Sequence, residues 1–148
     1  MDAKEFLSQA TVLNEKINMD FLHLQKLREL LERLGGSASA QRERVQGGEL
    51  PNSPATKIID QIADLETTID RELAEYDLVL KQIKDAIAFC GEWNEIRILK
   101  NRYLEEQKWT TISQEVGLSE RRVLEIHNSG LLKVEQYLKS SVFRSKPQ

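Results

Sequence analysis

One cysteine, two histidines and three prolines are all that 148 residues hold of the residue types that most often staple, ligate or break a chain. Cys90 has no partner for an internal disulfide. With His23 and His127 it makes too small a set for a metal cluster, so no metal or other cofactor is expected. No run of about eighteen apolar residues exists, which argues against a membrane-spanning helix. The opening Met1-Asp2-Ala3-Lys4-Glu5 lacks the basic stretch and apolar core of a secretory signal, and a reducing cytoplasm is the expected location. Catalytic apparatus is missing too: no phosphate loop, no nucleophile beside a plausible base, no paired carboxylates in a cleft-forming context. The expectation is a protein that is not an enzyme.

What is present is charge. Charged residues make up 30 % and apolar residues 40 %, with only seven glycines, a balance that suits long solvated helices. The net charge of −3 hides an asymmetry: residues 1–90 carry 11 Lys and Arg against 16 Asp and Glu, residues 91–148 carry 10 against 8. The C-terminal excess is a thin electrostatic footprint for a nucleic-acid binder acting alone.

Apolar residues at three-and-four spacing predict a helix from about Ala3 to Leu34, through Phe6, Ala10, Leu13, Ile17, Leu24, Leu27, Leu31 and Leu34. Asp20 breaks that stripe, and Phe21 is the residue expected to cover the break. Gly35-Gly36 end the helix. The stretch from Gly35 to about Pro54 is rich in Gly, Ser, Gln and Pro, too polar to offset the entropy of ordering, and a mobile loop is expected there. Ser53 as N-cap and Pro54 at the first helical position open a second helix that runs to Cys90. Its stripe is Ile58, Ile62, Leu65, Ile69, Tyr76, Val79, Ile83 and Ile87, with Glu72 as the weak point beside Leu73. At about 1.5 Å per residue either helix is roughly 50 Å long, and neither can bury its stripe alone. An antiparallel hairpin within one chain solves this; pairing between two chains is the competing solution.

Beyond Gly91 the elements shorten. Ile96, Leu99, Tyr103 and Leu104 give one apolar face, Glu105-Glu106-Gln107-Lys108 a polar break, and Thr110 or Thr111 opens a helix through Val116. Gly117 turns the chain and Ser119 caps the next helix. Ile112, Val116, Leu118, Val123 and Ile126 fall where a helix-turn-helix needs apolar residues, with Gly117 at the turn. The expected architecture is therefore all-α: a long antiparallel, coiled-coil-like helical hairpin over 1–90, a C-terminal helix-turn-helix domain over 91–140, and a tail over 141–148.

The segment from Asn94 to Leu138 resembles region four of bacterial sigma factors, the domain that reads the −35 promoter element. The resemblance is carried by Arg102-Tyr103-Leu104-Glu105, by Trp109-Thr110-Thr111-Ile112-Ser113-Gln114-Glu115-Val116-Gly117-Leu118-Ser119, by Val123-Leu124-Glu125-Ile126 and by Gly130-Leu131-Leu132-Lys133-Val134. Joined to a preceding pair of long charged helices, it is similar to the phage-encoded, ArpU-like late transcription regulators of Gram-positive bacteria. The resemblance implies a phage or prophage regulator whose partners are double-stranded promoter DNA, bacterial RNA polymerase and, in one arrangement, a second copy. It puts the helix from Ser119 in the major groove, with Ser119 itself among the DNA-binding residues, Glu120, Arg121 and Glu125 toward bases and Lys108, Thr110, Thr111 and Arg122 toward phosphates. Arg121 can pair with guanine O6 and N7, and Glu125 can accept from cytosine N4. Two departures stand out. Leu124 occupies a position that is often basic in region four, and Ser113 and Gly130 stand where small Ala or Gly residues are usual.

Other residues have structural roles as their expected lot. Trp109 should pack beneath the first motif helix, Trp93 and Phe89 should bury the end of the hairpin, and His127 should be a partly buried packing residue. Two other functions compete with this one. A protein-interaction factor, aimed at host takeover or at a host defence, would use a degenerate helix-turn-helix on a protein surface. A DNA-packaging small subunit would place its DNA-binding domain first, whereas here it comes last.

Overall fold

The computed structural model describes residues 1–35 and 53–140, and within them the chain is all-helical, with five helices and no strand. These are α1 (Ala3–Arg33), α2 (Pro54–Phe89), α3 (Trp93–Tyr103), α4 (Trp109–Val116) and α5 (Glu120–Leu138). The loop expected over 35–54 and the tail over 141–148 lie almost wholly outside the described residues. No described helix is long and apolar enough to cross a membrane.

The long helices begin where their caps say they should. Asp2 Oδ1 accepts from the Glu5 N–H at 2.8 Å, and Ser53 Oγ accepts from the Thr56 N–H at 3.2 Å. Each cap satisfies one of the donors that a helix start leaves open. The chain then divides into two compact units: Met1–Asn14 with everything from Glu75 onward, and Glu15–Ala74. The division does not fall at residue 90, because both long helices contribute an end to the first unit.

In the second unit, Leu27 and Leu31 of α1 pack with Ala55 and Ile58 of α2, flanked by Ile59, Ile62 and Leu65. Lys16 pairs with Glu72 at 3.4 Å and Arg28 with Glu66 at 3.0 Å, so within this unit the two stretches run in opposite directions. The two residues that interrupt the stripes meet: Asp20 lies beside Glu72. Glu72 is only 5 % exposed, while Phe21, expected to cover the break, is 46 % exposed and Leu73 is also turned outward. The helical period explains the difference. Asp20 lies seven residues, two helical turns, before buried Leu27, which keeps it on that face, and Phe21 falls one position out of that register.

In the first unit, Phe6, Leu7 and Ala10 pack with Ile83, Ala86, Ile87 and Cys90, and with Leu99, Tyr103, Val134 and Tyr137 of the C-terminal helices. A separate cluster joins Ile98, Ile112, Val123 and Ile126, with Trp109, Val116 and Leu118 against it. Ile98 and Leu99 are both fully buried and serve different clusters, so α3 is the wall between them. Phe89 and Trp93 do not bury an end, contrary to expectation. Trp93 is 69 % exposed, and Phe89, half in solvent, touches the Tyr137 ring at 5.1 Å between centroids. The buried positions at the junction are filled by Cys90 and Ile87.

Burial, with the Asp20 carboxylate as the next cause, raises the Glu72 pKa above its ordinary value. A carboxyl whose pKa is raised by folding stabilises the fold while protonated, and this contribution is lost as pH rises through the folded value. Glu72→Leu, which restores the stripe, should stabilise the chain at neutral pH by about 1–3 kcal/mol. The gain should shrink toward acid pH. Thermal denaturation of both proteins over a pH series from neutral to acid checks it, and a gain independent of pH would contradict the assignment.

Candidate nucleic-acid interface

α4 and α5 are joined by only three residues, and local chemistry holds each of them. Gly117 adopts φ 72°, a left-handed conformation that suits glycine, and its N–H donates to the Ser113 carbonyl at 3.0 Å. The Leu118 N–H reaches the same carbonyl at 3.3 Å, and Ser113 Oγ donates to the Leu118 carbonyl. Ser119 then caps α5, its Oγ accepting from the Arg122 N–H at 3.2 Å. A side chain much larger than Ser113 would displace Leu118, which is a physical reason for a small residue there.

Beneath this turn, Ile112, Val116, Leu118, Val123 and Ile126 share one cluster, as the spacing predicts. Trp109, the first residue of α4, packs against this cluster, edge-on to the His127 ring at 4.8 Å and with the Arg102 guanidinium over its face at 4.4 Å. His127 is buried and shares a hydrogen bond of 2.7 Å with the Tyr103 hydroxyl. Burial lowers its pKa below the usual 6.5, and the Lys4 and Arg102 charges act in the same direction against a hydrogen bond with Asn128. Burial likewise raises the Tyr103 phenol. Both groups are thus held neutral at the base of the site.

The eight residues expected to face DNA fall into two sets. Lys108, Thr110 and Thr111 occupy the first turn of α4, with Lys108 and Thr110 exposed and Thr111 half-buried. Ser119, Glu120, Arg121, Arg122 and Glu125 occupy the first turns of α5, all exposed. Within the second set Glu125 gathers both arginines: Arg122 Nη1 lies 3.1 Å from Oε2 and Arg121 Nε 3.6 Å from Oε1. Among the described residues no hydrogen bond or ion pair ties the α4 set to this group. Two arginines against Glu120 and Glu125 leave the exposed start of α5 without net charge, and Lys108 is the cation that remains.

Two polar networks that set this geometry escaped sequence reasoning. Glu115 of α4 is held from three sides: Asn101 Nδ2 donates at 3.0 Å, Gln107 Nε2 at 3.1 Å, and Arg97 Nη2 donates to its carbonyl at 3.0 Å. These bonds lock α4 to α3. Glu95, 6 % exposed, pairs with Lys133 of α5 at 2.7 Å, and Lys133 also donates to the Cys90 carbonyl at 3.4 Å. Glu95 raises the Lys133 pKa. The available signal for Glu95 was its spacing, four residues before Leu99 and eight before Tyr103, which puts a carboxylate on the buried stripe.

The chain matches no protein-family model, no curated protein and no solved structure.

A methyl group at Gly130 would sit 3.0 Å from Leu99 Cδ1 and 3.4 Å from Leu99 Cγ, and Leu99 is fully buried. Gly130→Ala should therefore destabilise the first unit by about 1–2 kcal/mol, even though Ala is the better helix former. Chemical denaturation followed by tryptophan emission measures it; an unchanged or raised midpoint would mean that Leu99 yields freely. His127 carries the opposite pH sign from Glu72. A histidine with a depressed folded pKa stabilises above its unfolded value and loses that contribution as pH falls below it. His127→Gln should accordingly flatten the acid limb of stability below pH 6.5.

Proposed function

We propose that the chain is a phage or prophage transcription regulator that works in the cytoplasm of its bacterial host and binds promoter DNA through a region-four-like helix-turn-helix formed by α4 and α5. In this reading α1 and α2 make one long antiparallel hairpin that contacts RNA polymerase or a second copy. The protein is then a binder that needs no cofactor and catalyses nothing. The observation that carries the reading is the turn itself. Gly117 in the left-handed region, Ser113 bonded across it and Ser119 capping α5 present the first two turns of α5 to solvent over a continuous apolar base. That is the arrangement a reading helix requires, with its N-terminal side chains free to enter a major groove.

The electrostatics favour help from a partner. Glu125 holds Arg121 and Arg122 in the free protein, and exchanging that carboxylate for phosphate or a guanine edge brings only a modest net gain. RNA polymerase or a second copy would supply the missing affinity. The same neutralisation, together with exposed Leu124 on α5, favours a second reading, in which the motif docks on a protein.

Binding to a panel of upstream phage promoter fragments, at two salt concentrations, separates these readings. Arg121→Ala should weaken binding to the preferred fragment by about 1–3 kcal/mol and relax its sequence preference. Lys108→Ala should weaken every fragment alike and reduce the salt slope by about one. Equally negligible affinity of wild type and Arg121→Ala for every fragment, with and without polymerase, would sink the DNA-reading role.

A further inference from the structure

We infer that Leu124 is a sequence-reading residue, whose side chain packs on the C5-methyl group of a thymine in the major groove. The inference rests on the DNA-reading role proposed for α5 and deepens it. Leu124 is a large apolar side chain that is 40 % exposed in the second turn of that helix. The apolar residues on either side of it have structural roles: Val123 and Ile126 belong to the cluster beneath the turn. Leu124 joins none of the three apolar clusters among the described residues. Its apolar tip is left in water, a loss that contact with an apolar group would recover.

The surroundings define that group. Residues three and four apart are neighbours on a helix surface, so Leu124 sits among Glu120, Arg121 and Asn128, with Glu125 beside it. All four are exposed and polar. The next exposed leucine of α5, Leu132, is two turns further on. A protein groove that accepts a helix takes apolar anchors at consecutive turns, and this face does not supply them. The edge of a thymine in the major groove has the matching composition: one methyl group among hydrogen-bonding atoms. The helix also sets the register. Arg121, whose partner in the proposed reading is a guanine, precedes Leu124 by three residues, about 4.5 Å along the axis. Successive base pairs rise by about 3.4 Å, so the thymine lies within about two base pairs of that guanine.

The test selects duplexes from a random pool with the full chain, with and without core RNA polymerase. The best duplex is resynthesised with each thymine in turn replaced by uracil, which removes the methyl group alone. One such uracil, within about two base pairs of the guanine to which Arg121→Ala loses its preference, should weaken binding about fourfold. Leu124→Ala should lose the same factor on the parent duplex and nothing further on the uracil duplex. The variant should fold as the wild type does, because Leu124 packs in no cluster and alanine favours a helix; an unchanged thermal midpoint checks this. A selected sequence that is indifferent to every uracil overturns this inference and leaves DNA reading standing. A uracil penalty that persists in Leu124→Ala does the same. Loss of polymerase capture by Leu124→Ala at unchanged affinity for DNA also overturns it, and gives the side chain to a protein partner. If no sequence is enriched under either condition, DNA reading and this inference fall together.

Discussion

How closely α5 can lie against α3 decides the arrangement of the first unit, and the missing side chain at Gly130 permits that approach. Leu99 occupies the space a methyl would need, and the Glu95 Cβ is 3.7 Å from the same point. With α5 seated there, Val134 and Tyr137 reach the cluster on one side of α3, and Val123 and Ile126 reach the cluster on the other. Lys133 is then placed to hold both the Glu95 carboxylate and the last carbonyl of the long-helix segment at Cys90. A single close approach therefore aligns two apolar clusters and one buried ion pair.

Polar groups complete what packing begins. The Glu115 network fixes α4 against α3 through directional bonds, and the Tyr103–His127 bond fixes the floor beneath both short helices. Each of these contacts leaves the exposed start of α5 untouched. The interior is rigidly specified, and the surface above it is left to side chains that exchange partners at low cost, as the shared grip of Glu125 on two arginines illustrates.

Features set by local chemistry were legible in the sequence. The bounds of α1 and α2 follow from three-and-four spacing and from Ser53 and Pro54, and they fall within a residue of the expected ones. Gly117 and Ser119 were legible for the same reason, since a left-handed turn and a helix cap depend on few neighbours. What the sequence could not convey is which broken positions answer one another. Asp20 and Glu72 each read as an isolated flaw in a stripe; only the register between helices makes them a pair. Glu95 and Lys133 are 38 residues apart and were invisible as partners. Size and apolarity suggest burial for Trp93 and Phe89, whereas Ile87 and Cys90 take the buried positions beside them.

The placement of the tryptophans has a further use. The chain has two, Trp93 and Trp109, and both belong to the first unit, one open to solvent and the other wedged between Arg102 and His127. Indole emission is thus an optical label confined to that unit, while far-ultraviolet dichroism sums the helices of both. Coincident transitions in the two signals would mark a single cooperative molecule, and separated ones two folding units that share continuous helices.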